Sequence, residues 1–137
     1  MQARYNKMQR PEQPVQIAIV NLLEIMGFTF TAPDAGINVS SKRTQGILKR
    51  MGRRAGIADL IVWIPNGTLC IEVKKPEVME YSFKTHRLII KNRAGKQSDD
   101  QVAFEEKIKQ IPGHYYIVAT NAAEVAEFIK KNNIKPK

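Results

Sequence analysis

The stretch GIADLIVWIPNGTLCIEVKK, residues 56–75, decides the fold. Two apolar runs, ADLIVWI and TLCIEVK, flank Pro65-Asn66-Gly67. Asn-Gly between apolar runs is the strongest short signal for a β-hairpin. With Asn66-Gly67 as a two-residue turn, opposed positions sum to 133: Ile64 faces Leu69, Trp63 faces Cys70 and Asp59 faces Lys74. Opposed residues project from the same side of a sheet. Leu60, Val62, Ile64, Leu69, Ile71 and Val73 therefore make one continuous apolar face. Asp59, Glu72 and Lys74 fall together on the other side, at the end away from the turn. A three-residue turn would reverse the parity and scatter them.

Working outward, the chain before this hairpin opens with a polar, basic segment, residues 1–11, expected to be loosely ordered. From Glu12 the periodicity is helical, with Val15, Ile19, Leu22 and Met26 on one stripe joined by Ala18 and Ile25. Pro14 suits a first turn and Gly27 a stop. A short strand, FTFTA, follows, and then residues 32–56, a turn-rich basic stretch expected to be a long loop or irregular insertion. After the central hairpin, residues 76–97 hold a second, weaker and basic hairpin within YSFKTHRLIIKNRAGK. Ser98-Asp99-Asp100-Gln101 has the form of a capping box and opens a helix with Phe104, Ile108 and Ile111 inside. HYYIVAT makes another strand, and Asn121 with Glu124 caps a last helix through about Lys131. The order predicts a single α/β domain spanning residues 1–137, a small mixed sheet flanked by helices.

The 137 residues suffice for a core without staples, and a hydrophobic fraction of 43% argues against disorder. Lys and Arg number 22 against 13 acidic residues, a net charge of +9 that makes a polyanion the first partner to consider. The single cysteine, Cys70, cannot form an internal disulfide, so a reducing compartment is the default. No apolar run approaches the roughly 20 residues that span a bilayer. The N-terminal stretch lacks the apolar region of a signal peptide. A cytoplasmic protein with no membrane partner is the expectation.

Two carboxylates on rigid strands at one sheet end repel each other unless a cation sits between them. Two readings fit Asp59, Glu72 and Lys74. One is a divalent cation site, since Mg²⁺ favours one or two carboxylates, several waters and a phosphate oxygen. The other is a surface salt bridge in which Asp59 and Lys74 are an opposed pair. At these residues the sequence resembles the PD-(D/E)XK nucleases, and within them it is most similar to the VRR-NUC group, the virus-type replication-repair nucleases. Gly56-x-x-Asp59, Glu72-Val73-Lys74, then Ser98 and Gln101 opening the next helix ahead of a strand, carry the resemblance, with Glu12 and Gln16 in the first helix. Two departures stand out. Ala58 precedes the aspartate where the family usually has proline, and the segment between Lys75 and Lys96 is longer than a minimal member needs.

The resemblance implies a restriction-endonuclease-like αβββαβ core and hydrolysis of DNA phosphodiesters with Mg²⁺ or Mn²⁺. It implies Asp59, Glu72 and the Val73 carbonyl as metal ligands, with Glu12 as a possible further one. Lys74 would be the catalytic lysine, and Gln101 would help position the site. Each accessory residue also has a plain structural reading: Gln101 at N3 of a capping box, Glu12 as an acidic residue favoured at a helix start. The resemblance implies replication, repair or recombination in a phage or prophage setting, with branched, nicked or flap DNA as substrate. Lys42, Arg43, Lys49, Arg50, Arg53 and Arg54 precede Asp59 without an acidic residue among them, and Lys84, Arg87, Lys91 and Arg93 lie in the second hairpin. Such a basic run is usually a solvated loop; beside a phosphodiesterase site it would form a clamp for the phosphate backbone, which positions a duplex without reading its sequence. A symmetric pair would cut both strands more readily than one domain, so a homodimer is a possible state. The alternative function is a catalytically silent nucleic-acid-binding module using the same basic surface.

Overall fold

The structure is a computed structural model that describes residues 11–34 and 41–137. The expected loose segment 1–11 therefore lies almost wholly outside the described residues. Helix α1 (Gln13–Met26) leads to β1 (Thr29–Thr31), α2 (Lys42–Arg50), β2 (Leu60–Ile64) and β3 (Gly67–Val73). Strands β4 (Val78–Ser82) and β5 (Arg87–Asn92) follow, then α3 (Asp99–Lys109), β6 (His114–Ala119) and α4 (Ala122–Lys131). The main sheet runs β1-β2-β3-β6, with β6 parallel to β3 and the other pairs antiparallel. Without α2 and the second hairpin the order is the expected αβββαβ core plus a final helix.

The central turn differs from the sequence expectation. Ile64 pairs with Gly67 and Leu60 with Ile71, so Pro65-Asn66, not Asn66-Gly67, make the turn and opposed positions sum to 131. Asn66 has φ +64°, which with proline before it matches the residue choice of a type II turn. Gly67 is needed for another reason: a Cβ there would overlap the Gly113 carbonyl, because the turn before β6 presses against this one. The shift is by two residues in the sum, so parity and faces survive. Only the pairing changes: the register, continued one step past Leu60, sets Asp59 opposite Glu72 rather than Lys74.

The apolar face of the hairpin is as expected. Leu60, Val62, Leu69, Ile71 and Val73 pack with Ile19 and Leu23 of α1 and with Val125 and Ile129 of α4. Each fully buried side chain of this kind stabilises by about 1.5–3 kcal/mol. The phase of α1 is corrected: Leu23 is buried while Ile25 is 85% exposed and Ala18 also faces water. Apolar residues surround most of this helix, so periodicity alone could not choose its buried side. The opposite sheet face is thinner. Ala58, Cys70 and Tyr116 meet Phe104 and Ile108 of α3 there, whereas Ile111, expected inside, lies past the helix end and is 46% exposed.

The segment 32–56 is not all loop, because α2 occupies Lys42–Arg50. Ser41 caps it, its hydroxyl accepting from the Thr44 N–H at 3.1 Å. None of its residues is buried, so no apolar stripe announced it. The second hairpin begins three residues earlier than Tyr81 and forms a two-stranded sheet of its own.

Candidate active site

Three elements converge on one end of the sheet. Asp59 stands just before β2, Glu72 and Lys74 at the end of β3, and Gln101 in the first turn of α3. Gly56 allows the approach. Its φ is +77°, and a Cβ there would overlap the carbonyl of Asp100, so the chain entering β2 lies directly against the start of α3.

Glu72 is only 1% exposed. Its Oε1 lies 3.1 Å from the Lys74 ammonium and accepts from the Gln101 amide. Lys74 Nζ also donates to Gln101 Oε1 at 2.9 Å, and the Ser98 N–H donates to that same oxygen at 2.8 Å. The Gln101 N–H in turn donates to the Ser98 hydroxyl, completing the capping box. Gln101 thus caps the helix and also contacts Lys74 and Glu72. One oxygen caps the helix and holds the lysine, while the amide nitrogen reaches the glutamate.

Asp59 is half-buried and its Oδ2 accepts from the Val73 N–H at 2.8 Å, which ties β2 to the site end of β3. Burial raises the Asp59 carboxyl above its ordinary range despite that hydrogen bond and the nearby Lys74. Burial, with Asp59 as a like charge, pushes the Glu72 carboxyl up to about 7. Glu12 begins α1 without capping it, and its charge adds to the negative field at Asp59.

The second oxygen of Glu72, Oε2, is buried without a hydrogen-bond partner among the described residues. A buried carboxylate oxygen left bare is costly. A cation beside it and Asp59 would satisfy it, so the residues present fit a divalent metal. No group of three or more His, Cys, Asp or Glu that could hold a metal occurs among the described residues, so Glu12 does not complete an all-protein cage. Two carboxylates with remaining positions left to carbonyl, water and phosphate oxygens suit Mg²⁺ or Mn²⁺.

Tyr116 also borders the site. Its ring meets Phe104 edge-on with centroids 6.2 Å apart, and its buried hydroxyl has no hydrogen-bond partner among the described residues. Burial and the charge of Glu72 hold that hydroxyl far above the usual tyrosine range. Its place on β6, paired with Cys70, depends on the parallel β3–β6 pairing, for which the local sequence carries no signal.

The basic residues divide. Lys42, Arg43, Lys49 and Arg50 are exposed along α2. Arg53 pairs with Asp34 at 3.4 Å, and Arg54 donates to the carbonyls of Lys49 and Arg53 at 3.0 and 3.1 Å, closing the end of α2. Lys84, Arg87, Lys91 and Arg93 are exposed in or beside the second hairpin, outside the carboxylate cluster.

A four-stranded mixed sheet with helices on both faces, two acidic residues and a lysine at the end of its central hairpin, defines a restriction-endonuclease-like fold. One comparison with known proteins bears on this fold. The chain is similar to a solved structure described as a VRR_NUC domain protein, with 22% identity, a TM-score of 0.58 and 93% of each chain covered. The expected VRR-NUC fold is therefore borne out. No protein-family model matches the chain, and no curated protein matches it. Among the described residues no helix is long and apolar enough to cross a membrane.

Proposed function

We propose that this chain is a metal-dependent endonuclease that hydrolyses DNA phosphodiesters, selecting branched, nicked or flap DNA during replication, repair or recombination. The observation that carries the reading is the unpartnered buried oxygen of Glu72 beside Asp59, with Lys74 and Gln101 held against the same carboxylate. An apolar isostere would serve stability better than a bare buried charge. A metal-binding role explains its presence.

Asp59, Glu72 and the Val73 carbonyl would hold Mg²⁺ or Mn²⁺, with Glu12 as an outer carboxylate. A bound ion would polarise the scissile phosphate and lower the pKa of water. Lys74 places a fixed positive charge at the site, where it would stabilise charge developing on phosphate as the water oxygen bonds to phosphorus and gives its proton to solvent, and the ester oxygen leaves and takes a proton from solvent. Gln101 keeps the ammonium from collapsing fully onto Glu72 by accepting one of its protons in a hydrogen bond. The exposed cations of α2 and the second hairpin would hold the phosphate backbone on either side.

The test is cleavage of linear, nicked, flap and four-way DNAs with each metal, wild type against Lys74→Ala. The variant is expected to bind DNA and cut about 10²–10³-fold more slowly. Wild type that binds these DNAs without cutting them under either metal would make the protein a silent binding module. A Lys74→Ala protein as fast as wild type would remove the lysine from the chemistry.

A further inference from the structure

A two-stranded sheet alone is marginal in water, yet among the described residues β4 and β5 pair only with each other. Their register sets Met79 opposite Ile90 and Tyr81 opposite Leu88, so these four side chains share one face. All are open to solvent, Leu88 most of them at 67%. At the turn, Phe83 is 83% exposed and meets Tyr81 edge-on with ring centroids 5.2 Å apart. Apolar faces of this kind mark a surface that something covers.

Charge and position point to the occupant. Between positions 77 and 93 the hairpin carries Lys84, Arg87, Lys91 and Arg93 against two acidic residues, in a chain of net charge +9. A second copy would meet like charge, whereas nucleic acid meets the opposite one. The hairpin is also inserted between Lys74 and Gln101, two residues of the candidate site, and its base is closed there by the Gly95 N–H donating to the Lys75 carbonyl at 3.0 Å. Whatever phosphate lies at Glu72 has this arm beside it.

We propose that the β4–β5 hairpin is a wedge that sets Phe83, backed by Tyr81 and Leu88, against bases exposed at a branch or nick of the bound DNA. The proposal rests on the nuclease reading above and names what that site selects. Apolar side chains inserted at base steps unstack them, and aromatic rings stack on freed bases without regard to sequence. The five residues of β4 span roughly 17 Å at about 3.3 Å each. That reach corresponds to about five base-pair steps of roughly 3.4 Å. Cleavage is therefore expected within about five base pairs of the branch.

The experiment places 2-aminopurine at the branch of a flap and of a four-way DNA, in EDTA so that no cutting is needed. Wild type should brighten the probe at the branch and not in linear duplex. The paired change Phe83→Ala with Leu88→Ser should abolish that signal, while Phe83→Trp and Lys74→Ala keep it. With Mg²⁺ or Mn²⁺, the branched-to-linear rate ratio of the paired variant should fall about tenfold, within the range for removing one aromatic stack on a base. An unchanged probe signal and ratio would overturn the proposal. So would a wild-type dimer that the paired variant converts to monomer in sedimentation, which would make the face a self-association surface. Wild type that unstacks the branch yet cuts nothing would sink the nuclease reading and leave the wedge standing.

Discussion

Glu72→Gln tests whether the site is held together at a cost that a cation relieves. The carboxyl is 1% exposed, and burial with the Asp59 charge lifts it from 4.5 to about 7. A raised carboxyl pKa means the folded state holds the proton more tightly than the unfolded chain. Its contribution to stability is full below about 4.5 and is lost as pH rises through about 7. For these two values the loss between pH 5 and pH 8 comes to about 2.5 kcal/mol without metal. Glutamine keeps the shape and removes the titration. The difference in stability between variant and wild type should therefore grow in the variant's favour by that amount over this range. Thermal melts in EDTA at pH 5 and pH 8 read it as about 8 °C, at roughly 3 °C per kcal/mol for a domain of this size. Comparing the two proteins cancels the titrating groups that do not interact with Glu72. Adding Mn²⁺ at pH 8 should raise the melting temperature of wild type and leave the variant where it was. If the stability difference does not move with pH, the buried repulsion at Asp59 and Glu72 does not exist as described.

Two further outcomes follow from the geometry. Gly56→Ala meets the Asp100 carbonyl at a positive φ and should cost about 2–4 kcal/mol in urea melts. Because it displaces the turn that carries Gln101, its cleavage rate per folded molecule should also fall; a wild-type rate would break the link between that glycine and the site. Replacing Lys49 and Arg50 together with Gln should leave the melt nearly unchanged, since both are exposed. The salt dependence of duplex binding should flatten by roughly 0.9 for each DNA phosphate that α2 no longer neutralises, and an unaltered slope would mean α2 is a solvated helix only.

Much of the site was legible because parity is robust. A turn misplaced by one residue at each side still leaves Asp59, Glu72 and Lys74 on one face, since strands alternate with period two. The pairing within that face was not legible. Pro65 could begin a turn as well as precede one, and the deciding neighbour is Gly113, far off in sequence. Helix α2 was hidden because it is largely polar and buries nothing: its two large apolar residues, Ile47 and Leu48, are adjacent and make no stripe at helical spacing. The phase of α1 was hidden for the opposite reason, with apolar residues on most sides. Gln101 could be read as a cap or as a site residue, and nothing in the local sequence says that one oxygen serves both.

That shared oxygen makes the first turn of α3 a latch. Lys74 keeps both of its partners, Glu72 and Gln101, only while Gln101 holds its rotamer, and Ser98 helps to hold that rotamer by closing the turn. Helix ends open far more often than cores unfold, with local free energies well below the global one. The lifetime of the assembled site is therefore set by the fraying of a single helical turn, not by the melting of the sheet beneath it. Warming should disarm the protein before it unfolds, and a phosphate that engages Lys74 from the open side acts in turn on how firmly the helix is closed.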